Sequence, residues 1–321
     1  MKKLVKCTAF LLLCIFLFPI NVFAKELIPV GEVVGLELRD DTVTITAFDE
    51  AIGADAKTSG LAVGDQILRI NGSKICTSED VRTALSDAKG VATLTVRRGS
   101  AEKSYQVRLQ ETPSGPKLGV YLRQGITGIG TVTYYDPETG NFGTLGHGVN
   151  DADGKLLQLV QGNAYDAKVL TVRKGRAGDP GQLMGAVDGE TPIGQLSANT
   201  DQGVFGTTQL GWQGQCITVA SADEIKTGPA VIRSTVSGNT VREYSVEILR
   251  IYPKSRQNGR NLLLRVTDPA LLEATGGIVQ GMSGSPILQN GKLIGAVTHV
   301  LVNDPTTGYG IFIENMLDAA A

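Results

Sequence analysis

Apolar runs in this chain are short, and glycine or proline cuts almost every one of them. The stretch GIVQGMSGSPILQNGKLIGAVTHV, residues 277–300, holds five glycines and a proline, and 40 of the 321 residues overall are glycine. Punctuation that dense favours many turns joining short strands. The rhythm of a parallel α/β sheet, strands alternating with long amphipathic helices, is missing. The chain therefore reads as mostly β, with closed or sandwiched sheets. It is long enough for two domains with separate cores.

Charge narrows the partners. Thirty Lys and Arg against 32 Asp and Glu give a formal net charge of -2. There is no basic stripe of the kind a nucleic-acid protein carries, so no nucleic acid is expected to bind. The first 24 residues, MKKLVKCTAFLLLCIFLFPINVFA, place Lys2, Lys3 and Lys6 before an apolar run and end in Val22-Phe23-Ala24. That is the pattern of a signal peptide cleaved after Ala24 or, if retained, of a membrane anchor. Export across the cytoplasmic membrane is the expectation. Cleavage would remove three lysines and no acid, moving the net charge from -2 to -5. Cys76 and Cys216, the cysteines left after the leader, lie far apart in sequence and are expected to be free buried thiols. With two histidines and two distant cysteines there is no metal-ligand spacing, and neither metal nor cofactor is expected.

The sequence ETPSGPKLG, with Pro113, Gly115 and Pro116, reads as a linker over 112–117. It separates a unit over 30–111 from a larger one over 118–321. In the first, Gln66 to Ile70 is a strand bounded by Gly64 and an Asn71-Gly72 turn. CTSEDVRTALSDA is a short helix that Thr77 or Ser78 caps, with Asp80 in place for a capping box. VATLTVRRG and KSYQVRLQ form a hairpin around Gly99. GLAVGDQILRINGSKI followed by the capped helix resembles a PDZ domain, a small α+β unit that receives an extended peptide as an added strand. By that resemblance Gly35, Leu36, Glu37 and Leu38 meet a peptide terminus, and Val81 and Leu85 face the groove from the helix. Plain core is the competing reading for the four apolar ones.

In the second unit, Ser283 sits between Gly281 and Gly284. Small residues there let the backbone turn so that N–H groups converge, and those of Gly281 and Ser283 could hold an oxyanion. A serine hydroxyl needs an adjacent base. His147, in TLGHGVND, is the candidate; His299 reads as a pocket-wall residue. Ser285 is a rival hydroxyl, but Pro286 after it has no N–H. For an acid to orient the imidazole, Asp268 is a candidate beside Asp151, Asp153, Asp188 and Asp201; its other reading is a helix cap for PALLEAT.

GMSGSPILQNGKLIGAVTHV resembles the nucleophile hairpin of chymotrypsin-like serine peptidases. That implies a double β-barrel peptidase domain preceded by the PDZ-like domain. It places Thr298, His299, Tyr309 and Gly310 along the substrate cleft. Gly277 stands where relatives that cleave after basic residues carry an acid, so that selectivity is not expected. Together the PDZ-like region, TLGHGV, TDPALL and GIVQGMSGSPI resemble the stage IV sporulation protein B peptidase family. The resemblance implies catalytic Ser283, His147 and Asp268. It also implies a protein substrate, a membrane-anchored regulatory protein of endospore formation, and self-cleavage. The implied location is the space between forespore and mother-cell membranes. A non-catalytic PDZ-containing scaffold on a peptidase fold is the alternative.

Overall fold

The computed structural model describes residues 25–151, 154–256 and 259–321. The leader expected over 1–24, and Asp153, lie outside them. Among the described residues no helix is long and apolar enough to cross a membrane.

The chain enters through β1 (Glu26–Pro29) and then β2 (Val33–Phe48), a strand long enough to serve two sheets. A small unit follows: α1 (Ala54–Thr58), β3 (Gln66–Ile70), β4 (Ser73–Lys74), α2 (Ser78–Ser86), β5 (Val91–Arg98) and β6 (Ala101–Arg108). Its strand and helix limits follow local chemistry. Asn71 and Gly72 both take positive φ at the turn closing β3. Thr77 caps α2 through a capping box: its hydroxyl accepts from the Asp80 N–H, and the Asp80 carboxylate accepts from the N–H groups of Thr77 and Cys76. Thr77→Ala leaves that N–H without an acceptor and is expected to cost about 1 kcal/mol in urea unfolding; an unchanged midpoint would show the box to be idle. Val81 and Leu85 are buried with Ile67, Ile70, Leu94 and Val96 in the core of this unit. They are core residues rather than walls of an open groove.

Residues 112–117 do not form an extended linker. β7 (Gln110–Thr112) and β8 (Gly115–Lys117) make a tight hairpin there, and the chain goes straight into the 16-residue β9 (Val120–Tyr135). β9 runs antiparallel to β2 along both of its halves. Val43 to Phe48 pair with Gln124 to Val120 beside the small unit, and Val33 to Leu38 pair with Thr131 to Ile126 in the larger one. The two units thus share these strands.

The other edge of the first half of β2 is also occupied. β11 (Gln161–Arg173), which follows β10 (Asn141–Thr144), pairs Ala164 with Leu36 and Gly162 with Leu38. Gly35 to Leu38 therefore have no free N–H and C=O row for a peptide to join, which corrects their expected place in a peptide groove. β12 (Gln182–Val187), β13 (Gly194–Thr200), β14 (Gly203–Thr207) and β15 (Ile217–Thr218) extend the sheet. β10 pairs with β9 and β14, β14 with β13, and β13 with β11.

β16 (Gly228–Thr235), β17 (Val241–Ile251), β18 (Leu262–Val266), β19 (Pro286–Gln289), β20 (Lys292–Leu301) and β21 (Asp304–Phe312) close into a barrel. Period-two burial fills it: Tyr244, Val246 and Ile248 from β17, then Leu262, Leu264 and Val266 from β18. α3 (Pro269–Thr275) lies between β18 and β19, and α4 (Ile313–Ala320) closes the chain. Cys76 and Cys216 are free and half-buried.

Candidate active site

The loop before β19 is pinned to β9. The Thr131 N–H donates to the Ser283 carbonyl (3.0 Å), the Thr131 hydroxyl to Gly281 O (2.8 Å) and the Thr133 hydroxyl to Gly284 O (2.8 Å). From the barrel side the Gly284 N–H donates to Val297 O (2.7 Å). Ser283 is thereby fixed at the seam between the large sheet and the barrel. Gly281 and Gly284 both have φ of 96°, the left-handed region, which explains the glycines that flank Met282-Ser283. Among the described residues the N–H groups of Gly281 and Ser283 donate to no protein acceptor. The Ser283 hydroxyl donates to the Thr298 carbonyl at 2.9 Å. Ser285, by contrast, is fully buried, and its hydroxyl bonds Ser234.

His147 arrives from the loop after β10. Leu145 and Gly146 both turn through positive φ, 69° and 68°. Gly146 is required by closeness: a Cβ there would stand 2.9 Å from the Thr298 side chain and 3.0 Å from that of Ile311. A Cβ on Gly148 would meet Leu156 at 2.3 Å. Gly146 thus lets the loop lie against the barrel, and Gly148 lets it lie against Leu156 and Thr200. His147 Nδ1 is 2.9 Å from the Gly148 carbonyl. A carbonyl only accepts, so Nδ1 carries the proton and Nε2 is left as the basic nitrogen.

Ser283 and His147 line one cavity of about 250 Å³, with Leu36, Leu38, Ile129 and Gly281 among its walls. The GLEL segment supplies part of this wall. A larger hollow of about 700 Å³ lies elsewhere, between Pro29, Arg233, Ser245 and Leu288, and holds neither histidine.

The His299 ring stands 5.2 Å from that of His147, at 42°. The sequence suggests separate roles for the two histidines; the close approach of the Gly146 turn to the barrel brings them together. Among the described residues His299 Nδ1 is buried without a hydrogen-bond partner. Desolvation, then the charges of His147 and Arg260, push its pKa down to about 4. Desolvation also lowers His147 from its ordinary 6.5, against a smaller opposite effect of the Gly148 carbonyl. If the neutral His147 ring is the working base, activity falls as pH drops through its pKa. The acid limb of kcat/KM is then expected to have its midpoint below pH 6.5. A pH–rate profile with that midpoint at or above 6.5 would remove burial as the controlling influence.

Asp268 is not brought to the imidazole. Its carboxylate accepts from the N–H groups of Ala270 (2.9 Å), Leu271 (3.1 Å) and Ser245 (3.3 Å), as the N-cap of α3. Of the other acids weighed, Asp188 pairs with Lys168 at 3.2 Å, and the Asp151 carboxylate accepts from the Lys155 N–H. Thr298 is buried, its hydroxyl bonding Gly259 O at 2.7 Å. Tyr309 pairs across the strands with His299, and Gly310 is packed inside the wall beside Ile287 and Leu264. Among the described residues no three His, Cys, Asp or Glu side chains group as metal ligands would.

The family model described as SpoIVB peptidase S55 matches residues 114–317, and a PDZ domain model matches 28–97. A "putative zinc metalloprotease" of Rhizobium meliloti (strain 1021) is 31% identical over 141 residues, 44% of this chain and 34% of that protein. One of the same description from Agrobacterium fabrum is 33% identical over 98 residues, 30% of this chain and 25% of that protein. The chain thus spans about a third of the length of one of these curated relatives and a quarter of the other. Among solved structures, the Rv3671c protease of M. tuberculosis in its active form aligns over 61% of this chain and 73% of its own, at 17% identity and a TM-score of 0.37. The PDZ domain of an SdrC-like protein from Listeria monocytogenes aligns over 26% of this chain and 87% of its own, at 20% identity and a TM-score of 0.22.

Proposed function

Because the chain belongs to the SpoIVB peptidase S55 family, we propose that it is a serine endopeptidase with Ser283 as nucleophile and His147 as base. The observation that carries this reading is the shared cavity of Ser283 and His147, with the unengaged N–H groups of Gly281 and Ser283 at the same loop. In this reading Nε2 of His147 takes the Ser283 proton as Oγ bonds the substrate carbonyl carbon. The two N–H groups hold the oxyanion, each worth about 3 kcal/mol in comparable sites. His147 then protonates the departing amine. Water, deprotonated by the same ring, releases the acyl group and regenerates Ser283.

The Gly148 carbonyl fixes the imidazole tautomer, the task an acid performs in a triad. Asp268 fits that task poorly, being used by three N–H groups. Asp268→Asn keeps an N-cap acceptor and is expected to retain cleavage within a few-fold. A loss near ten-thousand-fold, the size of the effect when a triad acid is amidated, would instead give Asp268 the orienting role.

The cyclic pairing β2, β9, β10, β14, β13, β11 and back to β2 supports a second barrel, completing a double-barrel peptidase with the PDZ-like unit carried between β2 and β9. By family, the substrate is a membrane-anchored regulatory protein of endospore formation, met outside the cytoplasmic membrane, and the enzyme also cleaves itself. A fluorophosphonate probe tests the nucleophile. Wild-type protein is expected to label at Ser283 and Ser283→Ala to stay unlabelled. The scaffold reading has one observation behind it, the Ser283 hydroxyl turned to the Thr298 carbonyl; an unlabelled wild type would establish it.

A further inference from the structure

Next to the histidine pair, the barrel carries arginines and tyrosines in alternation. The Arg250 guanidinium lies 5.1 Å from the Tyr252 ring and that of Arg256 3.8 Å from the same ring. Arg256 and Arg260 lie 5.9 and 5.4 Å from the Tyr309 ring. Tyr309 is the cross-strand partner of His299, whose ring reaches His147. The row therefore starts at the candidate cleft and leads away from it.

Its charges are not balanced from within. Among the described residues none of the three arginines forms an ion pair, a condition they share with several other arginines of the chain. The nearby acids Glu314 and Asp318 are taken by Lys254, at 3.6 and 3.0 Å. Among the described residues Arg256 Nη1 and Arg260 Nε are buried without a hydrogen-bond partner, as is His299 Nδ1. Buried guanidinium N–H groups left unmet are costly. Ring faces help to hold the guanidinium groups in place without satisfying their N–H groups. Carboxylates are the acceptors that match a guanidinium fork.

We propose that Arg250, Arg256 and Arg260, interleaved with Tyr252 and Tyr309, form a subsite for an acidic stretch of the polypeptide substrate, holding its carboxylates beside His299 while the scissile bond lies at Ser283. The proposal rests on the peptidase reading above. An extended peptide is favoured over other polyanions because the row adjoins, through His299, the His147 ring that lines the Ser283 cavity.

The test reads binding without turnover. Full-length Ser283→Ala protein is titrated against a short rhodamine-labelled peptide carrying several glutamates, and against the same peptide with glutamines, by fluorescence anisotropy. The glutamate peptide is expected to bind at least about tenfold tighter, the difference shrinking as salt rises. Adding Arg256→Gln and Arg260→Gln to that protein is expected to remove the difference, and Arg256→Lys with Arg260→Lys to restore only part of it. Equal binding of the two peptides to the Ser283→Ala protein, which involves no change in the row, overturns the proposal. So does tighter binding to oligo-dT or to phosphatidylglycerol vesicles than to the glutamate peptide. Fluorophosphonate labelling of the wild type is read separately. Labelling without a glutamate preference leaves the peptidase standing and the subsite refuted; a preference without labelling refutes the peptidase and with it the substrate role, leaving only an acidic-peptide binding site.

Discussion

Ser283→Ala is expected to lower peptide hydrolysis by about ten-thousand-fold or more, with the fold retained. The size follows from the chemistry: no other group at the cavity can form the acyl intermediate, and triad-type residues act as a unit, so removing one forfeits nearly the whole contribution. Little structural cost accompanies it. The lost hydroxyl makes one hydrogen bond, to the Thr298 carbonyl, worth about 1 kcal/mol. The backbone bonds that shape the loop, from Thr131 to the Ser283 carbonyl and from Gly284 to Val297, stay in place. The measurement is the single-turnover rate on a purified peptide alongside a thermal melt. Undiminished cleavage by a folded variant would dismiss Ser283. Cleavage moved onto Ser285 is not expected, because that hydroxyl is buried against Ser234.

The second large effect is on stability. Gly284→Ala is expected to destabilise the protein by about 3–5 kcal/mol, combining a strained left-handed residue with forced overpacking. At Gly284 φ is 96°, and a Cβ would stand 2.0 Å from the Thr131 carbonyl oxygen and 2.6 Å from the Leu145 nitrogen. Both groups belong to backbone, so neither can yield cheaply. The same contact joins the serine loop to β9 and to the turn that carries His147, so cleavage is expected to fall with stability. Gly64→Ala is the control. Its φ of 92° is similar, but nothing lies within 4 Å of the added carbon, and a loss of about 1 kcal/mol is expected. Comparable urea midpoints for the two variants would show that conformation alone, not the close approach to Thr131, demands glycine at 284.

Local features were readable in advance. The ends of β3 at Gly64 and at Asn71-Gly72, the Thr77 cap and the hairpin around Gly99 are each decided by a few adjacent residues. So was the glycine-flanked loop at Ser283, since only a chain with freedom at positive φ makes that turn. The helix-cap reading of Asp268 is of the same kind: Asp-Pro before PALLEAT places a carboxylate where the first N–H groups of the helix need it. The catalytic reading of the same residue needed knowledge of a distant imidazole.

What no short window reveals is which edge a strand presents, and to what. GLEL resembles a peptide-receiving segment, yet β9 and β11 cover both of its edges, and Leu36 and Leu38 line the wall of the Ser283 cavity instead. The histidines are 152 positions apart, and their contact depends on Gly146 letting one loop approach the barrel. The arginine–tyrosine row joins β17, the segment after it and β21, and has no periodicity along the chain. Turn chemistry and alternation of apolar residues are written in neighbouring residues, because backbone sterics and pleat act over a few bonds. The partners of each strand edge and the company of each buried charge were settled only by long-range packing, where burial and hydrogen-bond satisfaction are shared among segments that the sequence keeps far apart.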